Sequence, residues 1–248
     1  MRKFGLIGFP LKHSFSKKYF TQKFQDEGLA DCQYEQFEID NIDQVTAVLE
    51  NNPELVGLNV TIPYKEQVIP YLDELEAGCK SIGAVNTIKV TGSKLVGYNT
   101  DYIGFKQSLS TWLPDRPVKS LVLGTGGASR AVKQALADLG IPFLMVSRSP
   151  SKEGERVSYE ELAQTSEILD THHLIINTTP LGTFPKVDEM PPIPSAFLSE
   201  KHLVYDLVYN PEETRLMKAV LQAGGMVKNG LEMLHLQAEA SWEIWNRV

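Results

Sequence analysis

A lysine and an aspartate, each placed after a predicted strand, could together carry out proton transfer. Lys65 follows the apolar run that ends at Val60, and Asp101 follows two short β-rich segments. Oxidation of an alcohol removes hydride from carbon, so a base must take the hydroxyl proton, and a lysine held by an aspartate can do so without a metal. Taken alone, however, Lys65 and Asp101 are better explained as surface charges.

Two serines separated by one residue form a second candidate group. Ser14 and Ser16 follow the turn at Gly8-Phe9-Pro10, and their hydroxyls could hold a carboxylate through neutral donors. A serine cap on the helix predicted near Lys17 explains them equally well. The residues themselves leave both interpretations open.

A glycine-rich turn lies between a predicted buried strand and a predicted helix. Gly124, Gly126, Gly127 and Ala128 follow the strand at residues 121–123. In this context such a turn binds the pyrophosphate of a dinucleotide, because backbone N–H groups and the helix N-terminus face the ligand. Ser129 replaces the third glycine of the GxGxxG pattern, so a purely structural turn is an equally good interpretation.

The end of the next predicted strand distinguishes between the two nicotinamide dinucleotides. NAD-binding proteins usually have an acidic residue there, which bonds the adenosine ribose. This chain has Ser147, Arg148 and Ser149 instead. A guanidinium with two hydroxyls can hold a 2′-phosphate through charge-assisted hydrogen bonds. We therefore expect NADP as the cofactor.

Composition argues against several other functions. The formal net charge of −7 and the lack of a Lys/Arg-rich block argue against nucleic-acid binding and favour a small-molecule ligand. The chain shows no apolar run long enough to span a membrane and no signal-peptide pattern, so we expect a cytoplasmic protein. Cys32 and Cys79 fit neither a disulfide framework nor a CxxC motif and are expected to be buried thiols. The histidine spacing predicts no metal site.

Alternating apolar strands and amphipathic helices predict an α/β fold in two parts. In the first part we predict strands at residues 4–8, 34–39 and 56–60, helices near 17–27 and 42–51, and a hairpin at a sheet edge from segments 84–90 and 94–98. In the second part, a helix at 101–112, strands at 121–123, 143–146, 174–177 and 204–207, and a helix at 127–139 predict a small doubly wound domain. A helical apolar stripe marks residues 231–248.

Another oxidoreductase pattern is present but misplaced. Tyr19 and Lys23 match the YxxxK of short-chain dehydrogenases, in which the pair follows the glycine-rich turn rather than preceding it. We reject that interpretation and expect Tyr19, Phe20 and Phe24 to form the apolar face of a helix.

Motifs spread over nearly the whole chain occur in the order seen in shikimate dehydrogenases, and the chain closely resembles that family. They are GFP at 8–10, HSFS at 13–16, NVTIPYK at 59–65, GAVNT at 83–87, NTD at 99–101, GTGGASR at 124–130, INTTPLG at 176–182, YDLVYNP at 205–211, and NGLEML at 229–234 with Gln237. The resemblance implies reversible oxidation of shikimate to 3-dehydroshikimate with NADP, in aromatic amino-acid biosynthesis.

The same resemblance implies roles for individual residues. Ser14 and Ser16 would bind the substrate carboxylate, and Lys65 with Asp101 would form the catalytic pair. The ring hydroxyls would be bound by Thr61, Asn86, Asp101 and Gln237. The resemblance further places Tyr209 and Gly230 at the nicotinamide end, and Thr178 and Leu207 beside the cofactor.

The resemblance also implies two discontinuous domains with a cleft between them. Residues 1–101 with 231–248 would bind substrate, and residues 102–230 would form a Rossmann-like NADP-binding domain. The chain is short between Arg148 and Leu174, where we expect a helix to be trimmed or lost. It departs from the family pattern at Lys17, Tyr102 and Glu232, of which the last two could narrow the cleft or change cofactor handling. A monomer and a homodimer are equally compatible with the sequence.

Two rival functions can be weighed on the same residues. A family member acting on quinate or an aminated shikimate, with NAD as the alternative cofactor, is disfavoured by Ser14, Ser16 and Arg148. A non-catalytic NADP-binding or regulatory protein is disfavoured by Lys65 and Asp101.

Overall fold

The computed structural model describes residues 1–12, 14–148 and 156–247. The chain divides into two compact units: unit 1 is Met1–Thr100 with Ala238–Val248, and unit 2 is Asp101–Gln237. The division therefore places residues 231–237, the start of the last helix, with unit 2.

Unit 1 is an α/β unit built on one six-stranded sheet. Its strands are β1 Arg2–Gly8, β2 Cys32–Glu38, β3 Leu55–Val60, β4 Glu74–Leu75, β5 Thr87–Thr91 and β6 Lys94–Tyr98. Its helices are α1 Phe15–Asp26, α2 Gln44–Glu50 and α3 Ala77–Ile82, with a short 3₁₀ turn at Ile69–Tyr71.

The strand order in unit 1 is β2-β1-β3-β5-β6-β4. β1 runs parallel to β2 and β3, whereas β5 and β6 form the predicted antiparallel hairpin. Gly92 supplies the left-handed conformation of the hairpin turn, with φ +62°. The expected position of the hairpin at the sheet edge is wrong, because β4 pairs with the outer side of β6.

Aromatic side chains fill one face of the unit 1 sheet. Phe4, Phe20, Phe24 and Trp245 are buried in one apolar cluster, and the ring centroids of Phe4 and Trp245 lie 5.0 Å apart. Trp245 lies against Gly57 of β3, where an added Cβ would come within 2.1 Å of the indole nitrogen. The close packing explains the glycine, since any side chain there would displace the indole.

Unit 2 is built on a second six-stranded sheet, which is entirely parallel. Its strands are β7 Ser120–Leu123, β8 Phe143–Ser147, β9 Arg156–Ser158, β10 Leu174–Asn177, β11 Leu203–Asp206 and β12 Met226–Asn229. Its helices are α5 Gly127–Asp138, α6 Tyr159–Gln164, α7 Glu167–Thr171 and α8 Arg215–Gln222. Helix α4 Thr100–Trp112 begins one residue before the unit, and α9 Leu231–Asn246 ends nine residues beyond it.

The strand order β12-β11-β10-β7-β8-β9 is that of the doubly wound Rossmann fold. Its inner strands are continuous buried apolar runs, as in Leu121–Leu123 and Leu174–Ile176, because helices cover both faces of a parallel sheet. The order reverses between β7 and β10, and ligands bind at the carboxyl ends of strands at such a point. The predicted mixed α/β fold with a Rossmann-like second part is confirmed.

The segment before β10, expected to have a helix trimmed or lost, retains helices within the described residues. Two short helices, α6 and α7, follow β9, and α6 begins with a capping box in which Ser158 and Glu161 bond each other's backbone N–H groups. This reciprocal cap stabilises a helix of only six residues.

Both cysteines are free thiols, but only one has the expected burial. Cys79 is buried and bonds the carbonyl of Ala84. Cys32 is only half-buried, and its Sγ accepts a hydrogen bond from the Arg2 guanidinium. Separately, none of the helices within the described residues is both long and apolar enough to cross a membrane.

Candidate active site and dinucleotide site

The glycine turn in unit 2 begins at a residue that only glycine fits. Gly124 follows β7 with φ +101°, and its N–H donates to the carbonyl of Val146 on β8. An added Cβ would come within 2.9 Å of Thr179 Cγ2. Both the conformation and the crowding explain why this position is glycine.

The next part of the turn presents open backbone at a helix N-terminus. Gly126 is the N-cap of α5, and an added Cβ there would meet no atom of the described residues within 4 Å. Gly127 and Ala128 form the first turn of α5, where backbone N–H groups lack partners within the helix. The N–H groups and the helix dipole favour an anion at this position.

Ser129 shows why the third glycine of the pattern is dispensable here. Its side chain is buried, and its hydroxyl donates to the carbonyl of Gly126 at 2.7 Å. The hydroxyl is thereby satisfied within the turn, so the serine stabilises the same backbone that the glycine pattern usually forms.

The predicted 2′-phosphate residues lie at the end of β8. Ser147 is the last residue of β8 and is buried, whereas Arg148 is exposed. Burial raises the pKa of Tyr159 to about 12, and the positive charge of Arg148 partly opposes that rise. The third residue of this prediction, Ser149, lies outside the described residues.

The ends of neighbouring strands lie beside the glycine turn. Thr178, directly after β10, donates its hydroxyl to the carbonyl of Leu123 at 2.6 Å. Gly230 lies against Leu207, since an added Cβ would come within 2.2 Å of the Leu207 carbonyl oxygen. The structure thus brings Thr178 to the turn and joins Leu207 to Gly230.

A buried carboxyl group, for which the sequence motifs gave no role, lies at the end of β11. Asp206 is fully buried and accepts hydrogen bonds from Thr214 Oγ1, Asn177 Nδ2 and the Val208 N–H. Burial raises the pKa of Asp206 to about 6, while these three donors hold it lower than burial alone would. The sequence signal that could have identified Asp206 is a carboxylate at the last position of an otherwise apolar strand.

The two departures from the family pattern in unit 2 have local partners. The Tyr102 hydroxyl donates to Asp138 and accepts from Lys106. Glu232 accepts from Ser108 Oγ at 2.5 Å and pairs with Lys228, and these contacts lower the pKa of Glu232. Both side chains therefore join helices and strands within unit 2.

In unit 1, both predicted carboxylate-binding serines lie at the start of α1. Ser14 is the N-cap residue, with an extended backbone, but its side chain makes no capping hydrogen bond. Ser16, in the first turn, interacts with the buried Tyr34 and partly opposes the rise in the pKa of Tyr34 that burial causes. The cap interpretation therefore holds for the backbone of Ser14 and not for its hydroxyl.

Three further predicted residues of unit 1 are held together by backbone hydrogen bonds. Thr61 and Lys65 belong to the loop after β3, and the Val85 N–H donates to the Lys65 carbonyl at 2.7 Å. The Asn86 carbonyl accepts from the Val60 N–H at 2.8 Å, and the Asn86 side chain is buried. The loop carrying Lys65 and the segment before β5 therefore form one local structure.

The remaining predicted residues belong to unit 2. Asp101 is buried in the first turn of α4. Gln237 is buried on α9 and donates to the Leu234 carbonyl. Gly104 lets α4 and α9 approach, since an added Cβ would come within 2.9 Å of the Gln237 nitrogen. Tyr209 is half-buried, and burial raises its pKa.

The doubly wound sheet and its glycine turn define an α/β protein of the dinucleotide-binding class. The family model described as the shikimate dehydrogenase substrate binding domain matches residues 6–88. The protein of Aquifex aeolicus named shikimate dehydrogenase (NADP(+)) is 39% identical, covering 98% of this chain and 90% of its own length. This chain belongs to the shikimate dehydrogenase family, as its motifs predicted.

Two more relatives extend the comparison. The shikimate dehydrogenase (NADP(+)) of Desulforamulus reducens is 37% identical, covering 97% of this chain and 88% of that protein. The crystal structure of shikimate 5-dehydrogenase from Thermus thermophilus in complex with NADP(H) and shikimate is 30% identical. It superposes with a TM-score of 0.85 and covers 99% of this chain and 94% of that chain. The similarity thus extends over both units.

Proposed function

We propose that this protein catalyses the reversible oxidation of shikimate to 3-dehydroshikimate with NADP, a step of the shikimate pathway to aromatic amino acids. The observation that carries the proposal is similarity to shikimate dehydrogenases over nearly the whole length of both proteins, 97% and 88% for one relative. Such coverage includes the loop of Lys65 and the glycine turn, the two places where this chemistry needs particular residues.

The substrate carboxylate is assigned to Ser14 and Ser16. Both serines lie at the N-terminus of α1, a helix of 12 residues whose dipole favours a negative charge there. The Ser14 hydroxyl makes no capping hydrogen bond. Two neutral donors at a helix N-terminus suit a carboxylate and leave the ring hydroxyls to other residues.

The ring hydroxyls are assigned to Thr61, Asn86, Asp101 and Gln237. Lys65 and Asp101 are assigned the transfer of the hydroxyl proton: Lys65 accepts it, and the Asp101 carboxylate holds the ammonium that forms. The local structure that joins Lys65 to Val85, next to Asn86, supports this assignment because it fixes the loop from which Lys65 extends.

The cofactor is assigned to unit 2. Gly124, Gly126, Gly127 and Ala128 would hold the pyrophosphate, and the open space before Gly126 fits a phosphate near the backbone. Ser147, Arg148 and Ser149 would hold the 2′-phosphate. Tyr209 and Gly230 would line the nicotinamide end, where bound NADP would supply the hydride acceptor, and Thr178 and Leu207 would lie beside the cofactor. In domain terms, residues 1–101 with 231–248 bind substrate and residues 102–230 bind cofactor.

Cellular context completes the proposal. We place this biosynthetic reaction in the cytoplasm and expect a monomer or homodimer that binds no nucleic acid. The net charge of −7 supports the last point, since phosphate backbones attract clustered cations.

Initial rates test the function directly. Shikimate and quinate are each supplied with NADP and with NAD, and absorbance of the reduced nicotinamide is followed. We expect turnover with shikimate and NADP to have the highest kcat/KM of the four combinations. Preference for quinate or for NAD would replace the substrate or cofactor, and no turnover in any combination would overturn the enzyme proposal.

A further inference from the structure

Three buried hydroxyl groups meet in unit 1. The oxygens of Thr87 and Ser241 lie 2.8 Å apart, and each lies 3.1 Å from Thr100 Oγ1. All three side chains are fully buried. We call them the hydroxyl triad. Each hydroxyl can donate one hydrogen and accept others, so three of them can satisfy one another in a closed ring.

The triad is connected to two buried asparagines. Asn59 Nδ2 donates to Ser241 Oγ at 3.0 Å and to Thr87 Oγ1 at 3.2 Å. On the other side, the Thr100 backbone N–H donates to Asn86 Oδ1 at 2.6 Å, and Asn86 Nδ2 donates to Thr100 Oγ1 at 3.0 Å. Because a backbone N–H can only donate, these bonds fix which way the Asn86 amide faces.

The hydroxyl of Ser241 is not the only group that holds α9 on the sheet. Trp245, one turn further along, donates its indole N–H to the Ile88 carbonyl at 3.0 Å and packs on Gly57. Ala238 and Ile244 add buried apolar surface from the same helix. A fully buried hydroxyl costs desolvation, which the hydrogen bonds of Ser241 to Asn59, Thr87 and Thr100 offset. The hydrogen bonds of Ser241 also reach Thr100, so they can fix the position of Thr100 in addition to docking the helix.

We propose that Ser241 is a positioning residue of the reaction, which with Thr87 holds Thr100 and thereby fixes the Asn86 amide for a ring hydroxyl of the substrate. The inference rests on the proposed function, because the contact between Asn86 and substrate belongs to that proposal. Ser241 itself touches no reacting atom and acts through Thr100.

Replacing Ser241 with alanine tests this role. We expect Ser241→Ala to raise the KM for shikimate about tenfold, the effect of one hydrogen bond of substrate affinity. The kcat and the KM for NADP should stay within about twofold, since the interaction lost is made equally in ground and transition states. Ser120→Ala is the matched control: Ser120 is also fully buried, and its hydroxyl has no hydrogen-bond partner among the described residues.

A double-mutant cycle separates positioning from a general structural role. In an Asn86→Ala background, Ser241→Ala should add no further rise in the KM for shikimate, because the group it positions is gone. Thr87→Val removes a second hydroxyl of the triad at nearly constant volume, so it should give the same result. It replaces Ser241→Ala in the cycle if Ser241→Ala does not fold. The positioning role would be overturned if Ser241→Ala raised the KM for shikimate equally in the presence of Asn86 and in the Asn86→Ala background. It would also be overturned if Ser241→Ala raised the KM for shikimate and the KM for NADP equally.

The proposed function and this inference can fail separately. If the unaltered protein turns over shikimate, and the KM for shikimate is unchanged in Ser241→Ala and Thr87→Val, only the positioning role is wrong. If the unaltered protein turns over neither shikimate nor quinate, the function falls and takes the inference with it.

Discussion

The glycine turn of unit 2 and the hydroxyl triad of unit 1 are built on opposite principles. The turn consists of consecutive residues, and the space before Gly126 is open within the described part of the chain. The triad consists of side chains from β5, the start of α4 and α9, and all of them are buried. One site is therefore a local backbone structure, and the other exists only after distant parts of the chain have met.

This difference predicts how each region responds to substitution. In the proposed function, the consecutive backbone groups of the turn bind only the pyrophosphate of the cofactor. Substitutions in the turn should therefore change the KM for NADP and have little effect on the KM for shikimate. Residues that share a hydrogen-bond network couple to one another, so changes around the triad should be non-additive. Each of the following experiments asks whether the two regions keep these separate effects.

The largest expected effect is on the proton-transfer residue of unit 1. We expect Lys65→Ala to lower kcat between about a hundredfold and ten-thousandfold, because a general base acts chiefly in the transition state. The dissociation constant for NADP should change little. Steady-state rates and fluorescence titration with NADP measure the two quantities, and Lys94→Ala, which removes a surface salt bridge to Glu74, is the control.

A loss of NADP binding that accounts for the whole rate defect would contradict the assignment of Lys65. It would also remove the separation between the two regions, since a substitution in unit 1 would then act on the cofactor.

The next-largest effects are expected at two glycines of the turn, Gly126 and Gly124. We expect Gly126→Ala to raise the KM for NADP roughly tenfold or more, because the methyl group would fill the open space in which the pyrophosphate must approach. The free energy of unfolding should not fall, since φ is −79° and no atom of the chain as described lies within 4 Å of the new Cβ. Kinetics and urea unfolding provide both measurements.

Gly124→Ala is the contrasting variant. Its φ of +101° and the Thr179 methyl 2.9 Å from an added Cβ predict a loss of stability of about 1–3 kcal/mol. Equal destabilisation by both alanines would mean that Gly126 also serves the backbone rather than the ligand.

Features of consecutive residues were predictable from the sequence. The strand before Gly124, the helix after it and the hairpin around Gly92 follow from apolar runs and turn residues that are close in the chain. The mixed α/β fold class, predicted from alternating strands and helices, and the family, predicted from ordered motifs, are confirmed by the comparisons. The edge position of the hairpin was wrong, because β4 is a strand of two residues that leaves no periodic pattern.

Features that depend on tertiary contact were not predictable. Ser241 lies in a helix whose stripe of apolar residues predicts only burial, and nothing in the sequence indicates that its hydroxyl meets Thr87 and Thr100. The partners of Tyr102 and Glu232 are likewise distant in the chain, at Asp138 and Ser108. Long-range pairs of this kind have no local signature.

A smaller effect is expected at the end of β8. We expect Arg148→Ala to lower the ratio of kcat/KM for NADP over NAD roughly tenfold, because a charge-assisted hydrogen bond to the 2′-phosphate is lost. The KM for shikimate should not change. Arg116→Ala is the control, since Arg116 is an exposed arginine of unit 2 that bonds the Lys201 carbonyl. An unchanged cofactor ratio would leave the 2′-phosphate to other residues.

The smallest effect concerns the buried polar group of unit 2, which unlike the neutral triad contains a carboxyl. Because burial raises the pKa of Asp206 to about 6, the folded protein binds this proton more tightly than the unfolded chain. Its contribution to stability is therefore largest in acid and is lost as pH rises through about 6. We expect the free energy of unfolding, relative to that of Asp206→Asn, to fall by about 1 kcal/mol between about pH 5 and pH 7.

Urea unfolding of both proteins at each pH measures that difference. His202, whose pKa burial lowers, gives a trend of the opposite sign, but it is common to both proteins and cancels in the difference. Asp138→Asn should show a flat difference over the same range, because its hydrogen bond from Tyr102 lowers the pKa of that carboxyl. A flat difference for Asp206→Asn would mean that Thr214, Asn177 and Val208 fully offset the desolvation, and that the polar groups of the two units are energetically alike.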